Sequence, residues 1–307
     1  MTPELAPYSD GVNLNLDELL YYKQQCVQWL PPAKSLWSQM LGQHQSRQLG
    51  RGMDFSEVRQ YQSGDDIRAI DWRVTARTGK PHTKLFSEER EKPIVLYLDL
   101  SASMVFGSQL MLKSVQMAHI ASLIAWLSVS AQDRVGALLD LGNQLIELKP
   151  TSRNKGALAI AQALVTHHQA QLTAPCSADE NMAKGLQALA RMCPKGSEIV
   201  LLSDFIRLSE EDQNLLRRLG QHNRVRLIQI CDPLEQGITA FRGTEQVSDK
   251  HTTRWLDFSS KKTRQGIESA FNQQQQQLKL LAHRLGMSFS TLSSDTALIH
   301  QLHGFQS

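Results

Sequence analysis

The sequence predicts an α/β protein with a mostly parallel central sheet and helices on both of its faces. Two observations carry this. Ile94-Val-Leu-Tyr-Leu-Asp99 and Ser197 to Asp204 are near-continuous apolar runs of the kind that fill buried parallel strands, and each ends on an acid. From Pro93 onward such runs alternate with longer helical stretches, and alternation of this kind implies right-handed crossovers around one sheet.

In chain order, the segment to Gln45 carries Leu14, Leu16, Leu19, Leu20, Tyr21, Val27 and Leu30, a pattern for one or two short helices broken by Pro31-Pro32. Between Gly50 and Lys92 short apolar runs alternate with arginines and acids, and Gly64 and Gly79 mark turns, so short strands or hairpins are expected. After the strand at 94–99, Gln109 to Ala131 reads as a long apolar helix and Arg134 to Leu141 as a strand. Gly142-Asn143 then turns a hairpin into Gln144 to Leu148. Helices are expected at Gly156 to His168, Asp179 to Met192, Ser209 to Leu219 with Ser209 as N-cap, and Ile267 to Leu285. The remaining strands are Arg224 to Cys231 and Ser288 to Leu292. The division expected is an N-terminal extension over 1–92 and the α/β domain over 93–307.

With 307 residues, 41% hydrophobic and 21% charged, the chain has ample material for a core and none of the profile of disorder. Its 33 Lys+Arg against 30 Asp+Glu leave a formal charge of +3, too small to argue for a polyanion partner, so no nucleic acid is expected. Cys26, Cys176, Cys193 and Cys231 lie far apart and read as reduced core thiols rather than a zinc site. Met1 to Val12 lacks a basic n-region and an apolar h-region, and Met117 to Ala131, interrupted by His119 and serines, is short of a membrane span. A soluble cytoplasmic protein without membrane insertion is the expectation.

Both acidic strand ends carry more polar residues: Asp99-Leu-Ser101-Ala-Ser103 and Ser203-Asp204. In open α/β sheets ligands sit beyond the carboxyl ends of the strands. One carboxylate and two hydroxyls at alternate positions form an oxygen-only set suited to a hard cation such as magnesium, and Asp204 would add a second carboxylate. The bland alternative is a turn in which Asp99 caps the next helix and the serines satisfy backbone groups. There is no G-x-x-x-x-G-K-[ST] phosphate loop, no G-x-S-x-G elbow and no H-E-x-x-H pair, so ATP hydrolysis and serine-hydrolase chemistry lack their usual carriers.

The Asp-x-Ser-x-Ser pattern over about Ile94 to Leu302 resembles the von Willebrand factor A fold and its metal-ion-dependent adhesion site. The segment Gly50-Arg-Gly-Met-Asp-Phe-Ser-Glu-Val-Arg-Gln-Tyr-Gln-Ser-Gly-Asp-Asp-Ile-Arg-Ala-Ile-Asp-Trp-Arg-Val-Thr-Ala-Arg77, with Cys231-Asp-Pro-Leu-Glu235, resembles the signature of the domain-of-unknown-function 58 family. These resemblances imply a von Willebrand factor A-like protein-interaction module, a MoxR-type AAA+ ATPase and a client protein as partners, and Mg2+ (alternatively Mn2+ or Ca2+) as cofactor. Ser101 and Ser103 would ligate directly, Asp99 and Asp204 directly or through water. The usual Thr ligand would be Thr151 or Ser152, in a loop where Lys155 would repel a cation.

Two further readings stay open. In Tyr61 to Arg77, Asp65 or Asp66 is expected to cap a short helix with Ile67 and Ile70 facing inward. Arg59, Arg68, Arg73 and Arg77 then either pair with Asp54, Glu57, Asp65, Asp66 and Asp71, or, with Trp72 as anchor, form a partner-binding surface of Arg68, Asp71, Trp72, Arg73 and Arg77. At the sheet edge, the alternatives to a non-enzymatic module are a metal-dependent phosphohydrolase using Asp99 and a metal-free scaffold. The phosphohydrolase lacks its acid, since Ser101 stands where one would protonate the leaving group.

Overall fold

The structure, a computed structural model, describes residues 5–28, 49–50, 54–87, 92–173, 181–239, 241–248 and 253–303. Pro31-Pro32 and Cys176 lie outside them. The chain forms two compact units, residues 38–91 and the remainder, 1–37 with 92–307.

The larger unit is the expected α/β fold. Its six-stranded sheet has the order β11-β8-β7-β4-β5-β6, where β4 is Pro93–Asp99, β5 Arg134–Asp140, β6 Leu145–Thr151, β7 Glu198–Ser203, β8 Arg224–Cys231 and β11 Ser288–Ser293. All neighbours are parallel except β6, which runs antiparallel to β5. The apolar runs of β4, β7 and β8 are buried on both faces, which is why they lack polar alternation.

Val95 and Tyr97 point to one face, where they join Leu138, Ile199, Leu201 and Leu227 and meet three helices: α5 (Ala183–Met192) with Leu186 and Leu189, α6 (Asp212–His222) with Leu216 and Leu219, and α7 (Lys261–Arg284) with Leu278 and Leu281. On the other face lies α3 (Lys113–Ser130), buried along nearly its whole length by α1 (Leu16–Gln28) and α4 (Asn154–Thr173). A helix buried on all sides reads as uniformly apolar, which accounts for the run at 117–131. Among the described residues no helix is long and apolar enough to cross a membrane.

The N-terminal helix belongs to this unit rather than to an extension over 1–92. Glu18 on α1 pairs with His119 on α3 at 2.6 Å, both fully buried, and Ser122 Oγ donates to the Leu19 carbonyl at 2.7 Å. These polar bonds inside an apolar interface fix which faces of the two helices meet. Cys26 and Cys231 are buried free thiols and Cys193 is a half-buried one. A two-stranded antiparallel hairpin, β9 (Thr244–Ser248) and β10 (Thr253–Asp257), precedes α7.

The smaller unit is a three-stranded antiparallel sheet of order β1-β3-β2, with β1 Leu49–Gly50, β2 Asp54–Gln60 and β3 His82–Ser87. Between β2 and β3 a 3-10 turn (Ile67–Ala69), capped by Asp66, leads into α2 (Trp72–Thr78). Asp71 caps α2 by accepting from the Arg73 and Val74 amides, and Gly79 ends it in the left-handed region. Ile67 does not face inward: it is 66% exposed, because the turn is too short to form a two-residue apolar face.

The α3 and α4 helices are also joined by a buried contact between Ser114 Oγ and His168 Nε2 at 2.9 Å. Burial pushes the His168 imidazole down from 6.5 to about 4, with Glu18 and Asp10 opposing weakly. The folded state therefore favours the neutral ring, so its contribution is complete above the unfolded value and is lost as pH falls toward the folded one. His168→Gln should accordingly flatten the acid side of the stability profile: on lowering pH from about 6.5 to about 4.5 the wild-type urea midpoint falls more steeply than the variant's, the slope difference being at most about 1.4 kcal/mol per pH unit. Parallel profiles for the two proteins would contradict it.

Candidate functional site

Because five strands of the main sheet are parallel, their carboxyl ends share one edge, and each delivers polar residues there. The register sets Asp99 of β4 beside Asp140 of β5. Ser203 and Asp204 follow from β7, Asp232 and Glu235 from β8, and Ser294 from β11. All except Glu235 are nine-tenths or more buried, so every charge there needs a partner.

Arg207 supplies one. Its guanidinium, 3% exposed, donates to Asp99 Oδ1 at 2.8 Å and to Asp140 Oδ2 at 2.9 Å. Asp99 Oδ1 also accepts from the Ser101 amide at 3.0 Å, and Oδ2 from Ser203 Oγ at 2.6 Å. On Asp140, Oδ2 further accepts from the Tyr97 hydroxyl and Oδ1 from the Gly142 amide at 2.8 Å. Gly185 lets α5 come down on this pair: a Cβ there would stand 2.8 Å from the Tyr97 ring and 3.2 Å from Asp140 Oδ2.

Lys113 supplies the second cation. Fully buried at the first turn of α3, its Nζ donates to Asp204 Oδ2 at 2.9 Å and to Glu235 Oε1. A cation at a helix N-terminus opposes the helix dipole, so the two carboxylates must outweigh both that and burial. Asp204 Oδ1 accepts from the Ile206 amide at 3.0 Å, and a hydrogen bond from Ser103 reaches the same carboxylate. Asp232 ties the loops together by accepting from Ser108 N and Oγ and from Ser294 Oγ.

The charges respond accordingly. Burial pushes the Asp99 carboxyl above its ordinary range, Asp204 and Asp140 add to this, and Arg207 pulls the other way. Burial likewise works to raise Asp204, but the charge of Lys113 holds it below the ordinary carboxylate value. Glu235 is raised by burial despite Lys113, and Lys113 stays protonated because its two carboxylates outweigh its burial.

Of the expected ligands, Asp99, Ser101, Ser103 and Asp204 come together, with the serine hydroxyls 3.4 Å apart. Thr151 and Ser152 do not join them, and this corrects their placement in the ligand set. Because β6 is antiparallel, it starts at this edge with Leu145 opposite Asp140 and finishes with Thr151 opposite Val135, a strand length of about 20 Å away. Asp140, Arg207, Lys113 and Glu235 were not anticipated as site residues. As arranged, the donor set does not fit a divalent cation: every oxygen of Asp99, Asp140 and Asp204 already accepts a protein hydrogen bond, and two fixed positive charges lie among them.

In the smaller unit, Arg59 pairs with Asp65 at 2.7 Å and Lys84 with Asp71 at 3.4 Å. Arg68, Arg73 and Arg77 are exposed and form no ion pair among the described residues. Trp72 beside them is 68% exposed.

The family model described as "Protein of unknown function DUF58" matches residues 57–277, which span both units. The chain belongs to the DUF58 family. It is 30% identical over 192 residues to uncharacterized proteins from Mycobacterium tuberculosis and Mycobacterium bovis, a match covering 62% of this chain and 59% of theirs. The match thus spans about three-fifths of the length of these curated relatives. Among solved structures, the chain is similar to the conserved hypothetical protein BatB from Bacteroides thetaiotaomicron, with 11% identity, a TM-score of 0.43 and coverage of 70% of this chain and 95% of that one. A von Willebrand factor type A structure from Catenulispora acidiphila is 15% identical with a TM-score of 0.34, covering 62% of this chain and 43% of the other.

Removing one partner from a buried ion pair leaves an uncompensated charge, so Lys113→Met is expected to lose about 3–5 kcal/mol of unfolding free energy in urea denaturation. Thr151→Ala, at the far end of the sheet, should cost less than about 1 kcal/mol. Equal losses for the two variants would contradict the assignment of Lys113 to the charged edge and of Thr151 to the opposite one.

Proposed function

We propose that this DUF58 protein is a non-enzymatic protein-interaction module that works with a MoxR-type AAA+ ATPase on a client protein. The observation that carries the reading is the surface of the smaller unit. Trp72 is exposed beside Arg68, Arg73 and Arg77, whose guanidiniums have no ion-pair partners among the described residues. Exposed tryptophan and arginine are the residue types that dominate interface hot spots, and three such arginines together favour an acidic partner surface. Asp71 contributes as the cap that holds α2 in place rather than as a contact residue.

The sheet edge supports the non-enzymatic part of the reading. Asp99 is fully buried, and both of its oxygens accept hydrogen bonds from Ser101, Ser203 and Arg207, so the carboxylate is held in place and away from solvent, where a phosphate ester would have to reach it. A client carboxylate completing a metal shell is no part of this reading, because Arg207 and Lys113 hold the carboxylates that such a shell would use.

The test is affinity capture from the native cell with the tagged chain in the presence of ATP. The wild-type protein is expected to retain a MoxR-type ATPase, and the double substitution W72A/R73E to lose at least about 90% of it, two central hot-spot residues being worth well over a factor of ten. Retention of the ATPase by the variant at wild-type level, or absence of any AAA+ ATPase from the wild-type capture, would sink the proposal.

A further inference from the structure

We infer that Arg207 and Lys113 are the resident cations of this sheet edge, so that the Asp99-Leu-Ser101-Ala-Ser103 loop does its structural work without a divalent metal. The loop has the residue pattern of a cation site, and the fold delivers Asp204 to it. Yet the positive charge comes from the chain itself. Arg207 bridges Asp99 and Asp140, and Lys113 bridges Asp204 and Glu235, so each of the four carboxylates is in contact with a side-chain cation.

The two solutions compete for the same carboxylate oxygens. A magnesium ion bound by Asp99 and Asp204 needs oxygen lone pairs at about 2.0–2.1 Å with near-octahedral order. Here the Asp99 oxygens accept three hydrogen bonds and those of Asp204 accept from Lys113 and from the Ile206 amide. Neither cation can step aside cheaply: Lys113 is fully buried and Arg207 nearly so, and Phe205, in the left-handed region at φ 59° and itself buried, fixes the turn from Asp204 to Arg207. Arg207 Nε and NH1 find no partner among the described residues, so the local preference is for a further acceptor rather than a further cation. Such a site has the same rationale as a metal site, since it neutralises converging strand-end acids, but it is always loaded.

The experiment is a titration of the full chain with MgCl2 and MnCl2, followed by calorimetry and thermal melting, with a chelator-treated sample alongside. A metal site with a Kd of about 0.1 mM would raise the melting temperature by roughly 5–10 °C at about 10 mM cation. The expected shift is below about 1 °C with no saturable heat, and no change with chelator. In R207Q, where Asp99 and Asp140 lose their counter-ion, the melting temperature should fall, and added Mn2+ should recover part of the fall. Saturable cation binding by the wild-type protein that is lost in S101A/S103A would overturn the inference, as would an R207Q protein as stable as wild type without divalent cation. If R207Q does not fold, the wild-type titration decides alone. None of these readings depends on the ATPase, so this inference and the proposed function fail separately.

Discussion

The bridge that Arg207 makes between Asp99 and Asp140 is the interaction on which the sheet edge depends. Parallel pairing of β4 and β5 puts these two aspartates in register at the end of adjacent buried strands. Two buried carboxylates side by side repel each other and have lost their water, a cost of several kcal/mol per ion unless a counter-charge lies between them. Arg207 meets that need only because the loop after β7 folds back, and it does so through Phe205 at a positive φ and through the Ser203 and Asp204 side chains, which accept from the Phe205 and Ile206 amides. Backbone strain at one residue and the ion pairs made two residues further on are thus parts of one arrangement.

Buried ion pairs are weak evidence for stability, since apolar residues of the same volume often do as well. Their strength is in fixing which arrangement is adopted. Here an ion-paired Lys113 reaches from α3 to the loops after β7 and β8, and Asp232, through hydrogen bonds from Ser108 and Ser294, links the loops after β4, β8 and β11. The edge is thereby closed by charges that the chain itself supplies.

How much of this could be read beforehand follows from what each element buries. Strands buried on both faces announce themselves as unbroken apolar runs, so β4, β7 and β8 fell within a residue of their expected limits. These two long helices were recognisable and their last residues fell within one position, but their starts did not, since α3 begins at Lys113 rather than Gln109 and α7 at Lys261 rather than Ile267. The Asp99, Ser101, Ser103 and Asp204 cluster was legible because strand ends in a parallel sheet converge. Thr151 was misplaced although the hairpin at Gly142-Asn143 was read correctly: a strand leaving that hairpin must run back to the opposite edge. Arg207 and Lys113 were missed for a different reason, namely that long cationic side chains reach across elements that sequence spacing does not relate. One signal was present, a lysine opening a helix that is otherwise nearly all apolar, since a charge there is buried and must find acids.

The same reasoning separates two classes of charge in the family signature. Asp65 and Asp71 serve local structure, the first by pairing with Arg59 and accepting from the Gln62 amide, the second by capping α2 and pairing with Lys84. Of the two readings left open for the arginines at 68, 73 and 77, pairing with these acids is not what forms among the described residues: a cap accepts through short backbone bonds, which leaves the guanidiniums outside. An exposed guanidinium without an ion-pair partner keeps its full hydration and loses little on meeting an acidic surface, whereas Arg207, already desolvated and paired, has no such interaction left to make. Charge in this chain is therefore handled differently in its two units: it closes the edge of the larger sheet from within, and in the smaller unit it leaves Arg68, Arg73 and Arg77 exposed to solvent.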